Sequence, residues 1–246
     1  MSDQTFRFKQ FTVHQDKCAM KVGTDAVLLG SWLDPSHAHR ILDIGTGTGI
    51  IALMLAQRST CNIDGVDIDE NACLQARENF RISPWFLRMH VFHQSFQELA
   101  GQSNLIYDLI VSNPPYFHHA SKPFGESRLN ARHNDLLGFQ ELIDGVKKIL
   151  HPEGKFYLIL PAKEGHEFMD LAHSAGLFCT HLVKILTKPN KPEKRLIMEF
   201  SKNMGTLSEE EIIIQNENNS FTDRYITLTN DYYIALKNHP PTDAQS

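Results

Sequence analysis

Residues 40 to 58 read Arg40-Ile-Leu-Asp43-Ile-Gly45-Thr-Gly47-Thr-Gly49-Ile-Ile-Ala-Leu-Met-Leu-Ala-Gln-Arg58. A short β-rich run passes through three alternating glycines into an apolar helical pattern. Glycines at such a turn let the backbone bend tightly and approach a ligand at a helix N-terminus. Working outward, strand patterns recur at 62–67, 87–93, 107–112, 154–161, 179–186 and 194–201, and helical patterns at 47–58, 69–81, 135–150 and 164–175, the last closed by Gly176. Alternation of this kind predicts right-handed crossovers and a doubly wound, mostly parallel α/β sheet of seven strands, with both faces covered. Ligands of such sheets bind beyond the carboxyl ends of the strands, so the turns after the strands are where chemistry is expected.

The glycine spacing narrows the ligand. The third glycine follows the second by two residues, whereas the dinucleotide fingerprint needs three, and Asp43 stands two residues before Gly45. A carboxylate there repels a pyrophosphate but attracts the α-ammonium of a methionine moiety. At the end of the second strand, Asp67 can accept hydrogen bonds from both hydroxyls of a ribose, or it can cap the helix that follows. The two carboxylates suit S-adenosylmethionine better than a nicotinamide cofactor.

After the fourth strand comes Asn113-Pro114-Pro115-Tyr116. Consecutive prolines fix φ and donate no N–H, and Asn113 before a proline is driven out of the helical region. The product is a stiff elbow with free carbonyls. An amine conjugated to a ring is a poor nucleophile because its lone pair is delocalised. Acceptors on its two hydrogens, the Asn113 side-chain oxygen and the Pro114 carbonyl, favour the pyramidal geometry that frees the pair. Tyr116 offers a flat face for a planar substrate. An elbow of this kind after the fourth strand resembles that of class I methyltransferases acting on planar nitrogens, in nucleic-acid bases or in protein glutamine.

Other stretches extend the resemblance. Phe8-Lys-Gln-Phe11, Lys17-Cys-Ala-Met-Lys21-Val-Gly23-Thr24-Asp25-Ala-Val-Leu-Leu-Gly30-Ser-Trp32, the glycine turn with its helix, and Ser112–Tyr116 together resemble the bacterial tRNA(Val) adenine-37 N6-methyltransferase family. The likeness spans nearly the whole chain, including Pro84-Trp85 and residues 225–236. It implies a class I, Rossmann-like methyltransferase fold with an antiparallel last strand, S-adenosylmethionine as cofactor and a tRNA anticodon loop as partner. It also implies cofactor roles for Lys21, Gly23, Thr24 and Asp25, for Asp43, Gly45, Gly47 and Gly49, for Asp67 with Ile68, for Ser95 with Phe96, and for Asn113. Thr24 reads as a possible N-cap of a helix. Where relatives usually carry an acidic residue after the third strand, this chain has Gln94-Ser95-Phe96. A glutamine-N5 methyltransferase acting on a protein such as a release factor is the alternative, since the same elbow holds a primary amide. The short stretch before the first strand leaves little room for the helical domain such enzymes carry.

Composition sets the outer limits. The chain has 246 residues, 41% of them hydrophobic, enough for a packed core. The longest uninterrupted apolar run, Ile50 to Ala56, is far short of a bilayer span of about 20 residues, and Met1-Ser-Asp-Gln-Thr is not a signal peptide. Four cysteines without a CxxC spacing suit free thiols in the cytoplasm, and no metal-ligand pattern or obligatory protein partner is evident. Three stretches are expected: an N-terminal segment at 1–35 contributing to the cofactor pocket, the methyltransferase domain at 36–205, and an acidic extension at 206–246 packed on it. The net charge of −5 equals the sum of that extension, which holds seven acidic and two basic residues. The remainder is neutral, with its densest basic run at 184–202. On the substrate side, Pro115, Tyr116 and Phe117 can meet the base, and Arg128 and Arg132 in the following loop can meet phosphates.

Overall fold

The structure is a computed structural model that describes residues 4–18, 21–102, 104–114 and 137–235. Its central sheet is built from β3 (Arg40–Ile44), β4 (Asn62–Asp67), β5 (Met89–His93), β6 (Tyr107–Ser112), β7 (Leu150–Pro161), β8 (Phe178–Leu186), β9 (Glu193–Ser201) and β10 (Ser208–Ile213). They lie in the order β10-β8-β9-β7-β6-β3-β4-β5. Only β9 runs against its neighbours β7 and β8. The seven expected strands are all present, and the antiparallel one is the last of them in the chain. A separate hairpin of β1 (Thr5–Arg7) and β2 (Thr12–His14) precedes the sheet.

Side chains alternate between two cores with the strand period of two. Ile41, Leu109, Val111, Ile159 and Ile197 face one way, into a cluster completed by α1 (Thr24–Trp32), α2 (Ile50–Arg58), Phe80 of α3 (Glu70–Ile82), and Tyr225 and Tyr232 near the C-terminus. Leu42, Ile44, Ile110, Leu158 and Leu196 face the other way, against α4 (Phe96–Gly101), α5 (Phe139–Ile149) and α6 (Ala162–Ser174). Both end segments meet on the first face. Phe8 bridges Tyr233, and the Tyr232 hydroxyl donates to the Met54 carbonyl at 3.0 Å. The helix α6 ends as expected at Gly176, whose φ of +78° closes a Schellman pair, Gly176 N–H to His173 and Leu177 N–H to Ala172.

Among the described residues the sheet has eight strands, one more than expected. β10 comes from the acidic extension and lies parallel to β8 at the edge. Its Ser-Glu-Glu-Glu-Ile-Ile sequence lacks an apolar alternation because only Ile212 is buried, and two of its three charges are matched locally. Glu209 pairs with Lys184 at 2.7 Å, and Glu210 accepts from the Trp32 indole at 2.7 Å and from Arg224 at 3.0 Å. The short helix α7 (Asp223–Thr229) then packs back over α1. No helix among the described residues is long and apolar enough to cross a membrane.

Candidate active site

Register brings the turns of four adjacent strands together. Ile44 pairs with Ser112 on one side and Val66 on the other, and Asp67 pairs with His93. Gly45, Asn113, Asp67 and Gln94 therefore follow side by side at the carboxyl edge. The Ser112 hydroxyl donates to the Ile44 carbonyl at 3.0 Å, fixing the start of the Asn113-Pro114 elbow to the end of β3.

Gly45, Gly47 and Gly49 have φ of +68°, +54° and +80°, the left-handed region that side chains avoid. The reasons differ along the turn. A Cβ at Gly45 would meet nothing within 4 Å, and one at Gly47 only the Gly45 carbonyl at 3.9 Å, so these two present bare backbone to open space. A Cβ at Gly49 would lie 2.4 Å from the Phe80 ring, so Gly49 serves packing. The turn is held by Gly45 and Thr46 N–H groups on the Val66 carbonyl and by Gly47 N–H on Asp67 Oδ2 at 2.9 Å.

The carboxylates divide their roles. Asp67 sits half-buried at the end of β4; besides Gly47 it accepts from Asp69 N–H at 3.0 Å, while capping of α3 falls to Asp69. Ile68 beside it is 47% exposed, an apolar surface at the ligand edge. Asp43 is turned inward. Only 1% exposed, it accepts from the Thr46 hydroxyl at 2.8 Å. Burial first, and then the charge of Asp67, lift its carboxyl from the usual 3.8 to about 7.

A raised acid holds its proton in the folded chain where the unfolded chain has released it. The stability due to neutral Asp43 is thus fully present below pH 3.8 and is lost as pH rises through about 7. Asp43→Asn keeps a neutral group at the same place, so urea unfolding should show the wild type losing stability between pH 4 and 7 relative to the variant, by on the order of a few kcal/mol. Parallel pH profiles would contradict the assignment.

Several expected site residues stand elsewhere than the local pattern suggested. The N-cap of α1 is Gly23 and not Thr24, which is the first helical residue; no side chain caps this end. Ser95 caps α4: its hydroxyl accepts from Glu98 N–H at 3.2 Å and donates to the Glu98 carboxylate at 2.9 Å, so it is already engaged within its own helix. The Phe96 side chain is buried and packs over Gly145 in the second core, away from the ligand edge. Lys21 is exposed just before α1. Pro115, Tyr116, Phe117, Arg128 and Arg132 lie outside the described residues.

Other residues at this edge escaped the reading of the sequence. Asn79 on α3 is fully buried; its amide donates to the His14 and Thr48 carbonyls at 2.9 and 2.8 Å and its oxygen accepts from His14 N–H, tying hairpin, helix and glycine turn together. Gln15 accepts from Val22 N–H at 2.9 Å and thereby places the segment leading into α1. Arg195 at the start of β9 pairs with Asp25 at 2.8 Å, 170 residues away in sequence. The only advance signal for these was a polar helix face at 75 and 79 and a lone arginine in a strand. Arg195→Ala should cost about 1–2 kcal/mol by leaving the half-buried Asp25 without its charged donor, lowering Tm by a few degrees. Arg195→Lys should recover part of the loss, and equal Tm values for all three proteins would rule the contribution out.

A doubly wound sheet with one inserted antiparallel strand, a glycine turn backed by a carboxylate and a stiff elbow after the neighbouring strand together define a class I methyltransferase. The chain belongs to the methyltransferase small domain family, which it matches over residues 17–176, and to the group of relatives named tRNA1(Val) (adenine(37)-N6)-methyltransferase. The relative from Trichodesmium erythraeum is 46% identical, covering 95% of this chain and 99% of its own. That from Bacteroides fragilis is 44% identical, covering 96% and 100%. Among solved structures, a predicted O-methyltransferase from Agrobacterium tumefaciens superposes with a TM-score of 0.67 at 19% identity, over 87% of this chain and all of the other, a likeness of fold.

Proposed function

We propose that this chain methylates the exocyclic N6 of adenine 37 in the anticodon loop of tRNA1(Val), with S-adenosylmethionine as methyl donor. The observation that carries the reading is end-to-end similarity to relatives of that name, at 46% identity for one of them, in a chain that sets an Asn113-Pro114 elbow beside its glycine turn. The residues at the edge fit the donor: Gly45 and Gly47 offer bare backbone to open space, and Asp67 stands at the end of the neighbouring strand along the same edge. Lys21 to Asp25, held by Gln15 and Arg195, close the methionine end. In this assignment the 1–35 segment belongs to the pocket and residues 206–246 to the same folding unit, and a tRNA substrate places the reaction in the cytoplasm.

Bound S-adenosylmethionine supplies a methyl group on a positively charged sulfur. The chain's own part is placement. Asn113 Oδ1 and the Pro114 carbonyl accept the two amine hydrogens, holding the nitrogen pyramidal with its lone pair toward the methyl. Because the charge that drives the transfer is already on the bound donor, no strongly basic side chain is needed to begin it, and the proton that the methylated nitrogen then sheds passes to water. An anticodon loop presents its base unpaired, which avoids the cost of unstacking a duplex.

The test supplies labelled S-adenosylmethionine with total tRNA and, separately, with release factors, followed by digestion and mass spectrometry. N6-methyladenosine at position 37 of one tRNA is the expected product. Label confined to protein glutamine would replace this reading with the alternative one.

A further inference from the structure

The densest basic run of the chain is divided by the sheet. Lys184 pairs with Glu209 at 2.7 Å, Arg195 with Asp25 at 2.8 Å, and Lys202 donates to the Leu150 carbonyl at 2.6 Å. These three cations are used within the fold. Lys188, Lys191 and Lys194 differ: none has a carboxylate partner among the described residues, and Lys188 meets only the Glu217 carbonyl, at 3.5 Å. Lys191 and Lys194 are exposed.

All three sit in the loop joining β8 to β9 or at its base. Because β9 is antiparallel to both β7 and β8, that loop emerges at the carboxyl edge, on the side of Asn113. Ser112 pairs with Leu158 and Pro161 with Arg195, so the loop stands past the end of β6 by more than about 10 Å. Two to three strand spacings separate it sideways from the elbow, about 10–15 Å. The loop is also held in shape. Pro189 and Pro192 stiffen it, Asn190 takes a left-handed φ of 60°, and Ile214 and Gln215 N–H groups brace the Leu186 and Thr187 carbonyls at 2.9 and 3.0 Å.

We propose that Lys188, Lys191 and Lys194 form a phosphate-gripping arm that engages the RNA backbone a few nucleotides from the methylated base. The inference rests on the functional reading above for the identity of its partner. Chemistry selects a polyanion of fixed spacing: three ammonium groups on a rigid loop beside the site, on a body that is neutral as a whole, attract phosphates without reading sequence. The arm supplies affinity, and the elbow selects the base.

The test compares full-length wild type with a Lys188→Gln, Lys191→Gln, Lys194→Gln variant. Binding of a labelled tRNA1(Val) transcript is measured against salt, and cofactor Kd and Tm are measured in parallel. Each lost phosphate contact removes about 0.7–0.9 from the slope of log K against log salt, so the slope should shrink by about two and affinity near 0.1 M salt should fall at least about tenfold. Cofactor Kd and Tm should be unchanged. A charge-matched variant at Lys147, Lys148 and Lys155, toward the opposite end of the sheet, should keep the wild-type slope. Equal slopes for the arm variant and wild type would overturn the proposal, as would equal losses in the two triple variants. So would loss of sedimentation with anionic phosphatidylglycerol vesicles while RNA binding is retained. Because binding is read apart from turnover, a wild type that binds tRNA through the arm without methylating it would refute the functional reading and leave the arm standing.

Discussion

Asn113→Ala should lower kcat by about two to three orders of magnitude, the scale seen when a single preorganised polar group at a reacting centre is removed, while cofactor Kd moves no more than a few-fold. The reasoning starts from the backbone. The bond from the Ser112 hydroxyl to the Ile44 carbonyl locks the last residue of β6 against β3, and Pro114 denies the next residue a helical conformation. Asn113 is thereby presented at a fixed point beside Gly45, whose turn is held independently by Val66 and Asp67. Removing the side-chain oxygen takes one acceptor from the amine and nothing from the glycine turn. Asn113→Asp keeps an oxygen in place and should retain more activity than alanine. Stopped-flow single turnovers with saturating cofactor, alongside calorimetric cofactor binding, separate the two effects. Proportional loss of cofactor affinity and turnover would place Asn113 in the cofactor pocket instead of on the substrate amine.

The parts of the fold that were legible in the sequence are those buried on both sides. β3, β4 and β6 span the residues expected of them, and each has a strand neighbour on either side and helices above and below. Elements with one exposed side were harder to see. β10 is an edge strand whose glutamates look like a charged tail until Lys184, Trp32 and Arg224 are placed opposite them. The α4 helix is a single short stretch after Ser95, and the β1–β2 hairpin is three residues per strand.

The site shows the same division. Turn chemistry is local, so the glycines and the Asn113-Pro114 elbow could be found by spacing alone. Contacts between distant segments carry little local mark: Asp25 gives no hint of Arg195, and the polar face of α3 signals Asn79 without pointing to its partners His14 and Thr48. The run at 184–202 illustrates the limit most sharply. As sequence it is one basic stretch, whereas the antiparallel turn sends Lys188, Lys191 and Lys194 to the ligand edge and leaves Lys184, Arg195 and Lys202 bonded within the fold.

Gly49→Ala should be the most destabilising single-methyl change in the site, and the reason separates a folding glycine from a ligand-facing one. At φ of +80° an alanine suffers the left-handed penalty of about 1–2 kcal/mol. Its methyl would also lie 2.4 Å from the ring of Phe80, itself 3% exposed in the core, and overpacking of that kind costs about 1–3 kcal/mol. The two effects together predict a loss of about 2–5 kcal/mol and a fall in Tm on the order of 10 °C. Gly45→Ala has a similar φ of +68° but open space around the new methyl, so only the conformational penalty should appear in its stability, while its cofactor affinity should fall because the methyl occupies the cradle. Adding Phe80→Leu to Gly49→Ala relieves the clash and should make the pair less unstable than the sum of its single changes, a coupling that a double-mutant cycle reads directly. Additive losses in that cycle would show that the left-handed backbone alone, and not the Phe80 ring, requires glycine at this position.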